Sequence, residues 1–169
     1  MRITELFTAQ SIALDEAQQD RSQIIDRLVE LQATHGNIRD KEAYKKGLYE
    51  REDEGSTYVD NGITVPHAKC DCVTRPSLAA LRLKTPVQYN AEDDGKTGLL
   101  FAIAAPKNGS LHVDMLARMM QMLMNEDFVE KLRTARTPED FLAAIDAQEE
   151  AQFGDESSPT RRSGRRAAV

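Results

Sequence analysis

One uninterrupted apolar segment constrains the fold of this chain more than any other feature. Residues 99–105 read Leu-Leu-Phe-Ala-Ile-Ala-Ala and are bounded by Gly98 and Pro106. A continuous apolar run of this length, between two residues that end regular structure, is typical of a strand buried on both faces. Such a strand needs a layer of other elements above and below it, so the segment favours a sheet covered by helices on both sides.

Helical and strand patterns on either side of this segment agree with that arrangement. We predict a helix that carries Ile24 to Leu31 and ends at His35-Gly36. Apolar spacing, cap residues and turn residues predict further helices at about 41–53 after Asp40, 111–124 after Ser110, 126–134, and 138–148 after Thr137. Strands are predicted around 11–14 and at 77–84, with a short edge piece at 86–89. The predicted fold is α/β (α+β), a three-layer α/β/α sandwich with a mixed central sheet.

Composition fits one folded domain followed by a tail. The chain has 169 residues, of which 40% are hydrophobic and 30% are charged. We expect the domain to occupy residues 1–149 and residues 150–169 to form a disordered tail or linker, because that segment lacks apolar periodicity. The net charge is −6, and the last 19 residues hold four arginines against two acidic residues, which leaves −8 on the rest. An acidic body argues against a nucleic-acid partner.

The compartment is predicted from the termini and the cysteines. No apolar run reaches the roughly 20 residues needed to span a bilayer, and the first residues lack the apolar stretch of a signal peptide. Cys70 and Cys72 are one residue apart, so a disulfide between them would close almost no loop and would stabilise little. We therefore expect a reducing, cytoplasmic location.

The segment Asn61–Lys69 carries the strongest candidate for chemistry. Gly62 can adopt the positive φ of a tight turn, and an apolar extended stretch, Ile63-Thr64-Val65, follows it. Pro66 restricts the backbone on both sides of itself, so His67 is delivered from a stiff strand end. A histidine held in this way suits a partner that must be met in one orientation, although an ordinary loop histidine is the plain alternative.

Two further residues are candidates for the same site. His112 falls in the first turn of a predicted helix, where free amide groups favour an anion and disfavour a protonated imidazole. Arg51 lies at a helix end shortly before the His67 turn, and its guanidinium suits phosphoryl oxygens. Taken alone, His112 could equally be a histidine that packs on Leu116, and Arg51 a solvated charge among glutamates.

A metal site is the competing chemical hypothesis. His67, Cys70, Cys72 and His112 would supply four zinc ligands, but Cys-x-Cys spacing is unusual for zinc and no second cysteine pair exists. We therefore expect no metal and no cofactor. The sequence also lacks a P-loop, a GxGxxG motif and a GxSxG motif.

The same residues carry a family resemblance. Ser56-Thr57 followed by Asn61–Lys69 resembles the phosphorylation-site signature of type-2 enzyme IIA domains, the fructose–mannitol class of the bacterial phosphoenolpyruvate-dependent sugar phosphotransferase system. The resemblance covers about residues 1–148. Its other matching segments are Arg51-Glu52, Arg75-Pro76-Ser77, Ala105-Pro106 and His112-Val113-Asp114-Met115-Leu116. Thr64 departs from the alanine usual in the signature.

The resemblance implies a role for each matching residue. His67 would accept a phosphoryl group from the phosphocarrier protein HPr and pass it to a cysteine of a sugar-specific enzyme IIB. His112 would bind that group or hydrogen-bond near the ring, and Arg51 would neutralise phosphate charge. The chain would be a phosphotransferase with a phosphohistidine intermediate, and a membrane permease, enzyme IIC, would be an indirect partner.

The resemblance leaves the biological role open between two alternatives. Sugar uptake is the leading hypothesis, and residues 67–69 and 75–77 look closer to fructose-type members than to mannitol-type ones. Similar domains also act as nitrogen-type regulatory phosphoproteins or as modules of transcription regulators, in which phosphorylation controls partner binding. The site would be the same in each case.

Overall fold

The fold is described from a computed structural model that covers residues 2–108 and 111–154, with the backbone alone for Leu111 and His112. The strands are β1 (Ile12–Glu16), β2 (Tyr58–Asp60), β3 (Ile63–Thr64), β4 (His67–Lys69), β5 (Ser77–Val87) and β6 (Thr97–Ala105). The helices are α1 (Arg21–Ala33), α2 (Lys41–Glu54), α3 (Leu111–Leu123), α4 (Glu126–Thr134) and α5 (Pro138–Phe153). Two short 3₁₀ helices, Ile3–Leu6 and Ala9–Ser11, precede β1.

The predicted apolar strand is the centre of the sheet. β6 pairs antiparallel with β5 and parallel with both β3 and β4. β1 pairs parallel with β5, and β2 pairs antiparallel with β3. The sheet is therefore mixed, in the order β1-β5-β6-β3-β2 with β4 also on β6.

Helices cover both faces of this sheet. Tyr44 and Leu48 of α2 pack with α1 and with Leu100 and Ala102 of β6 on one face. On the other face, aromatic residues from β6, α4 and α5 form the centre of the core, namely Phe101, Phe128 and Phe141. Successive residues of β6 thus face opposite cores, as expected for a strand between two layers. The predicted three-layer sandwich is confirmed.

Side-chain caps set the helix starts that the sequence predicted. Asp40 accepts a hydrogen bond from the amide of Ala43, and Thr137 accepts one from the amide of Asp140. α5 continues to Phe153, several residues beyond the predicted end at 148, because Phe153 packs against the core and Gly154 ends the helix at a φ of 68°. The predicted cap Ser110 and the tail residues 155–169 lie outside the described residues.

Two local predictions need correction. The short piece predicted at 86–89 is not a separate strand, because β5 continues to Val87 through a register irregularity after Arg82 that accommodates Pro86. Cys70 and Cys72, for which the expected reducing location implied free thiols, are joined by a disulfide. The bridge spans a separation of only two residues, so it constrains the unfolded chain very little.

No helix within residues 2–108 and 111–154 has the length and apolar character needed to cross a bilayer.

Candidate phosphoryl-transfer site

His67 opens β4, and the two residues before it are held by backbone hydrogen bonds to two different segments. The amide of Ile103 in β6 donates to the carbonyl oxygen of Pro66 at 2.9 Å, and the amide of Val65 donates to that of Thr57 at 3.0 Å. Ile63 and Val65 are both buried, so the segment before His67 is anchored by packing as well. The backbone that leads to His67 is therefore both paired and buried, which agrees with the restricted segment expected from Pro66.

The imidazole of His67 has one orientation and one tautomer. Its Nδ1 lies 2.9 Å from the carbonyl oxygen of Val65. A carbonyl oxygen can only accept, so Nδ1 carries the proton and Nε2 carries the lone pair. The nitrogen available for attack on an electrophile is therefore Nε2.

Arg51 faces this free nitrogen. Its Nε donates to Nε2 of His67 at 3.2 Å, and its Nη1 donates to the carbonyl oxygen of Gly55 at 2.8 Å. The guanidinium is thus held by the chain end of its own helix and directed at the ring. A cation at this position favours the oxygens of a phosphoryl group that forms a bond to Nε2.

A glycine allows α2 to come this close to the histidine strand. A Cβ added to Gly47 would meet the Cβ of Ala68 at 3.2 Å, which is tighter than most such contacts. Gly47 lies one helical turn before Arg51, on the side of α2 that faces β4. The close approach of the two elements therefore brings the guanidinium within reach of His67.

The environment keeps the His67 ring neutral. Burial is the largest cause of a lowered pKa, and the charge of Arg51 lowers the pKa further. The hydrogen bond to Val65 and the charges of Glu52 and Glu54 act in the opposite direction. A neutral imidazole whose Nε2 carries the lone pair is the nucleophilic form, and the hydrogen bond from Arg51 to Nε2 must shift to a phosphoryl oxygen as that lone pair attacks.

His67 opens onto a cavity of about 440 Å³ between α2, β4 and α3. Arg51 and Lys69 supply positive charge to its wall and Val113 and Leu116 of α3 supply an apolar side, while two glutamates, Glu50 and Glu54, complete the charged lining. Val113 is 52% exposed, which is high for a large apolar residue. Sequence reasoning did not single out Lys69; its place two residues after His67 in the same strand was the available signal.

The second predicted histidine immediately precedes a residue of the cavity wall. His112 is in the first turn of α3, and the next residue, Val113, lines the cavity with His67 and Arg51. The structure therefore brings the start of α3 to the site. The side chain of His112 is outside the described atoms, so its role remains a prediction.

The zinc hypothesis finds no support in the structure. Both of the sulfur ligands it requires, on Cys70 and Cys72, are engaged in the disulfide. Within the described part of the chain, no group of three or more histidine, cysteine or acidic side chains is arranged to hold a metal ion.

Comparison with protein families shows which family the chain belongs to. Residues 5–148 match the model of the phosphoenolpyruvate-dependent sugar phosphotransferase system, EIIA 2. The chain belongs to this family. It is a type-2 enzyme IIA domain, and domains of this family are phosphotransferase components, as the sequence resemblance predicted.

Two curated relatives are named for fructose. The chain is 35% identical to the fructose-specific EIIA component of Haloferax volcanii over 152 residues, which cover 86% of this chain and 99% of the relative. It is 33% identical to the fructose-specific EIIABC component of Bacillus subtilis over 146 residues. That alignment covers 86% of this chain but only 23% of the longer relative, so this enzyme IIA chain spans about a quarter of it.

Solved structures share the fold. The nitrogen regulatory protein IIA-Ntr of Neisseria meningitidis superposes with a TM-score of 0.79 at 23% identity, over 85% of this chain and 98% of that one. The mannitol enzyme IIA of Escherichia coli, solved in complex with phosphorylated mannitol enzyme IIB, gives a TM-score of 0.71 at 22% identity, over 82% and 96% of the two chains.

Proposed function

We propose that this enzyme IIA domain accepts a phosphoryl group on Nε2 of His67 from phosphorylated HPr and passes it to a cysteine of a fructose-type enzyme IIB. The observation that carries this proposal is the pair of contacts on the ring, with Nδ1 donating to Val65 and Nε2 facing Arg51. Together they leave one nitrogen nucleophilic and place a cation where negative charge will arrive.

Both transfers make or break a bond at the same nitrogen, Nε2 of His67. In the first, the lone pair of Nε2 forms a bond to phosphorus while the bond from phosphorus to the donor histidine breaks, and the donor ring keeps that electron pair. In the second, a thiolate attacks phosphorus and Nε2 recovers its lone pair. Because Nδ1 keeps its proton throughout, His67 leaves as a neutral imidazole rather than as an anion. Positioning and charge stabilisation supply most of the rate, since the transition state is loose.

His67, Arg51 and His112 are the residues to which we assign this chemistry. His67 is the nucleophile, Arg51 stabilises phosphoryl charge, and His112 contacts the group from the start of α3. The partners are HPr, enzyme IIB and, indirectly, the permease enzyme IIC, on the cytoplasmic side of the membrane. The mannitol enzyme IIA of Escherichia coli forms a complex with phosphorylated mannitol enzyme IIB, which supports that choice of partner.

We propose residues 1–149 as the transfer domain and residues 150–169 as a disordered tail or linker. Because α5 continues to Phe153, the domain in this proposal also includes residues 150–153.

A labelling experiment tests the transfer. Phosphoenolpyruvate, the upstream kinase enzyme I and HPr should label the protein once, and the label should be acid-labile and absent from His67→Ala. The matched control is His35→Asn, since His35 is a histidine outside the cavity whose Nε2 contacts the carbonyl oxygen of Leu78. A label that persists in His67→Ala would reject the proposal.

A nitrogen-type regulatory phosphoprotein, or an enzyme IIA module of a transcription regulator, is the second candidate. The similarity to the Neisseria IIA-Ntr structure favours it, whereas the two relatives named for fructose favour sugar uptake. Passage of the label from His67 to a fructose-type enzyme IIB separates the two roles. A regulatory protein would be labelled by HPr but would not deliver the group to that acceptor.

A further inference from the structure

Glu52 occupies a buried position directly behind the site. Glu52 is the residue after Arg51 on α2 and is 5% exposed. Its Oε1 accepts hydrogen bonds from the amide of Thr57 at 3.2 Å and from Nδ2 of Asn90 at 3.0 Å, and its Oε2 accepts one from Oγ1 of Thr57 at 2.5 Å. A carboxylate that accepts three donors in a buried site holds those donors firmly in place.

The first consequence concerns His67. The carbonyl oxygen of Thr57 accepts from the amide of Val65 at 3.0 Å, and the carbonyl oxygen of Val65 accepts from Nδ1 of His67 at 2.9 Å. Three hydrogen-bonded steps, joined by the backbone of Thr57 and of Val65, thus link Glu52 to the imidazole. The last step ends on the nitrogen whose protonation leaves the lone pair on Nε2.

The second consequence concerns Arg51. The backbone from Glu52 to Thr57 reverses through Gly55, at a φ of 149° that L side chains rarely adopt. The amide of Gly55 donates to the carbonyl oxygen of Glu52 at 3.1 Å, and the carbonyl oxygen of Gly55 accepts from Nη1 of Arg51 at 2.8 Å. By holding Thr57 at the far end of this reversal, Glu52 also fixes the carbonyl that orients the guanidinium.

We propose that Glu52 is a positioning residue that aligns Arg51 with His67 for phosphoryl transfer. This inference rests on the proposed function of His67. Glu52 does not line the cavity, so it acts through the segment Gly55–Thr57 and not on the phosphoryl group. One buried carboxylate thereby controls both the tautomer of the nucleophile and the direction of the cation.

Asn90 connects Glu52 to two further segments of the chain. Its Nδ2 also contacts Oγ of Ser56 at 3.1 Å, and its Oδ1 accepts from Nη1 of Arg21 at 2.5 Å. The amide side chain thus ties α1 and the segment after α2 to the same carboxylate. Because donors and acceptors are matched in the network, removal of Glu52 leaves Thr57 and Asn90 with unmatched donors.

Three variants of the full chain test the proposal. Glu52→Ala removes the anchor, whereas Glu52→Gln keeps it, since the amide oxygen can accept from Thr57 and Asn90 while its NH₂ donates to the Thr57 hydroxyl. Thr57→Val removes only the hydrogen bond from the Thr57 hydroxyl to Glu52, and it replaces Glu52→Ala as the test variant if Glu52→Ala does not fold. The control is Glu149→Ala, because Glu149 is an equally buried glutamate that bonds the amide of Ile3 and Arg118 away from the cavity.

The decisive readout is ¹⁵N NMR of the His67 ring, with single-turnover transfer from phosphorylated HPr beside it. In Glu52→Ala we expect the ring to lose its exclusive Nδ1–H tautomer and the saturated transfer rate to fall by about 10-fold to 100-fold, the effect of one misplaced charged hydrogen bond. Glu52→Gln should match the wild type in both readouts, and Thr57→Val should change both in the same direction by less.

Glu149→Ala should unfold more easily but keep the wild-type tautomer and rate. A folded Glu52→Ala with a wild-type tautomer and rate would overturn the proposal, as would a Glu52→Gln as defective as Glu52→Ala. If HPr does not label even the wild type, the proposed function fails, while the tautomer measurement still reports on Glu52 independently.

Discussion

The Nε of Arg51 and the Nε2 of His67 are a donor and an acceptor 3.2 Å apart, each oriented by a backbone carbonyl of a different residue. Gly55 holds the guanidinium, and Val65 holds the ring. The phosphoryl group must enter between two partners whose directions are already set. Preorganisation of this kind removes part of the cost of reaching a reactive geometry.

The tautomer predicts the chemical form of the intermediate. Since Nδ1 donates to Val65, the phosphoryl group should form its bond to Nε2, and Nδ1 should keep its proton before and after transfer. Nitrogen–phosphorus coupling in NMR of the phosphorylated protein identifies the bonded nitrogen. A phosphoryl group on Nδ1 would contradict the ring orientation described here.

Arg51→Ala should slow transfer while the fold is kept. A hydrogen bond to a charged group contributes roughly 1.5–3 kcal/mol, which corresponds to about 10-fold to 100-fold in rate. Arg51→Lys should restore only part of the rate, because an ammonium cannot reach both Gly55 and the ring as the guanidinium does. Lys46→Ala is the control, since Lys46 is an exposed cation of the same helix. Equal rates for Arg51→Ala and the control would refute the assignment.

His112→Ala should also keep the fold and slow transfer. The residue lies in the first turn of α3, next to Val113 in the cavity wall, so an imidazole there can contact a phosphoryl group on His67. Thermal unfolding measures whether the fold is kept, and single-turnover rates measure whether transfer is slowed. An unchanged rate would reassign His112 to a structural role.

Acid should weaken the fold through two histidines. Burial is the first cause of a lowered pKa for both His67 and His35, and the charges of Arg51 and Arg75 respectively add to it. Their unfolded pKa is about 6.5, so below that pH the unfolded chain binds more protons than the native one. This part of the stability is complete above pH 6.5 and is lost as pH falls through the lowered native values.

Urea unfolding of the wild type and of His35→Asn at pH 7.5 and 5.5 measures this difference. The variant should lose less stability between the two pH values, because one of the two titrating rings is gone. An equal loss in both proteins would show that His35 takes no part in the acid sensitivity.

Thr64 should affect stability and leave transfer unchanged. Its hydroxyl is buried and lies 2.7 Å from that of Thr97, and its side chain does not line the cavity of His67. Thr64→Ala strands the Thr97 hydroxyl at a cost of about 1–3 kcal/mol. Thr64→Ala with Thr97→Ala should cost less than the two single changes added together. Denaturant unfolding measures the cycle, and additive costs would show that the pair is not coupled.

Long periodic segments were predictable from the sequence. The apolar run 99–105, the caps Asp40 and Thr137 and the helix at 126–134 each combine local propensity with burial, and all appear in the structure as predicted. The short strands β2 and β4 were not predicted as such, because two or three residues carry too little periodicity and depend on pairing with β3 and β6. Tertiary pairing, not local pattern, makes them strands.

The sequence nominated residues for the candidate site but did not predict how they are arranged. Gly62 and Pro66 predict a restricted backbone before His67. The caps and charges of its helix predict that Arg51 lies near the helix end. The part played by Glu52 was not visible, since it sits among charged neighbours and only its burial and its bonds to Thr57 and Asn90 distinguish it. Burial of one acid within a run of acids follows from tertiary packing alone.

Gly47 sets how closely α2 can approach β4. Because Gly47 and Ala68 are already near the limit of approach, each added methyl group at position 47 would tilt α2 outward. A larger side chain at this position would therefore carry the guanidinium away from the imidazole and change the speed of transfer without altering any reacting group.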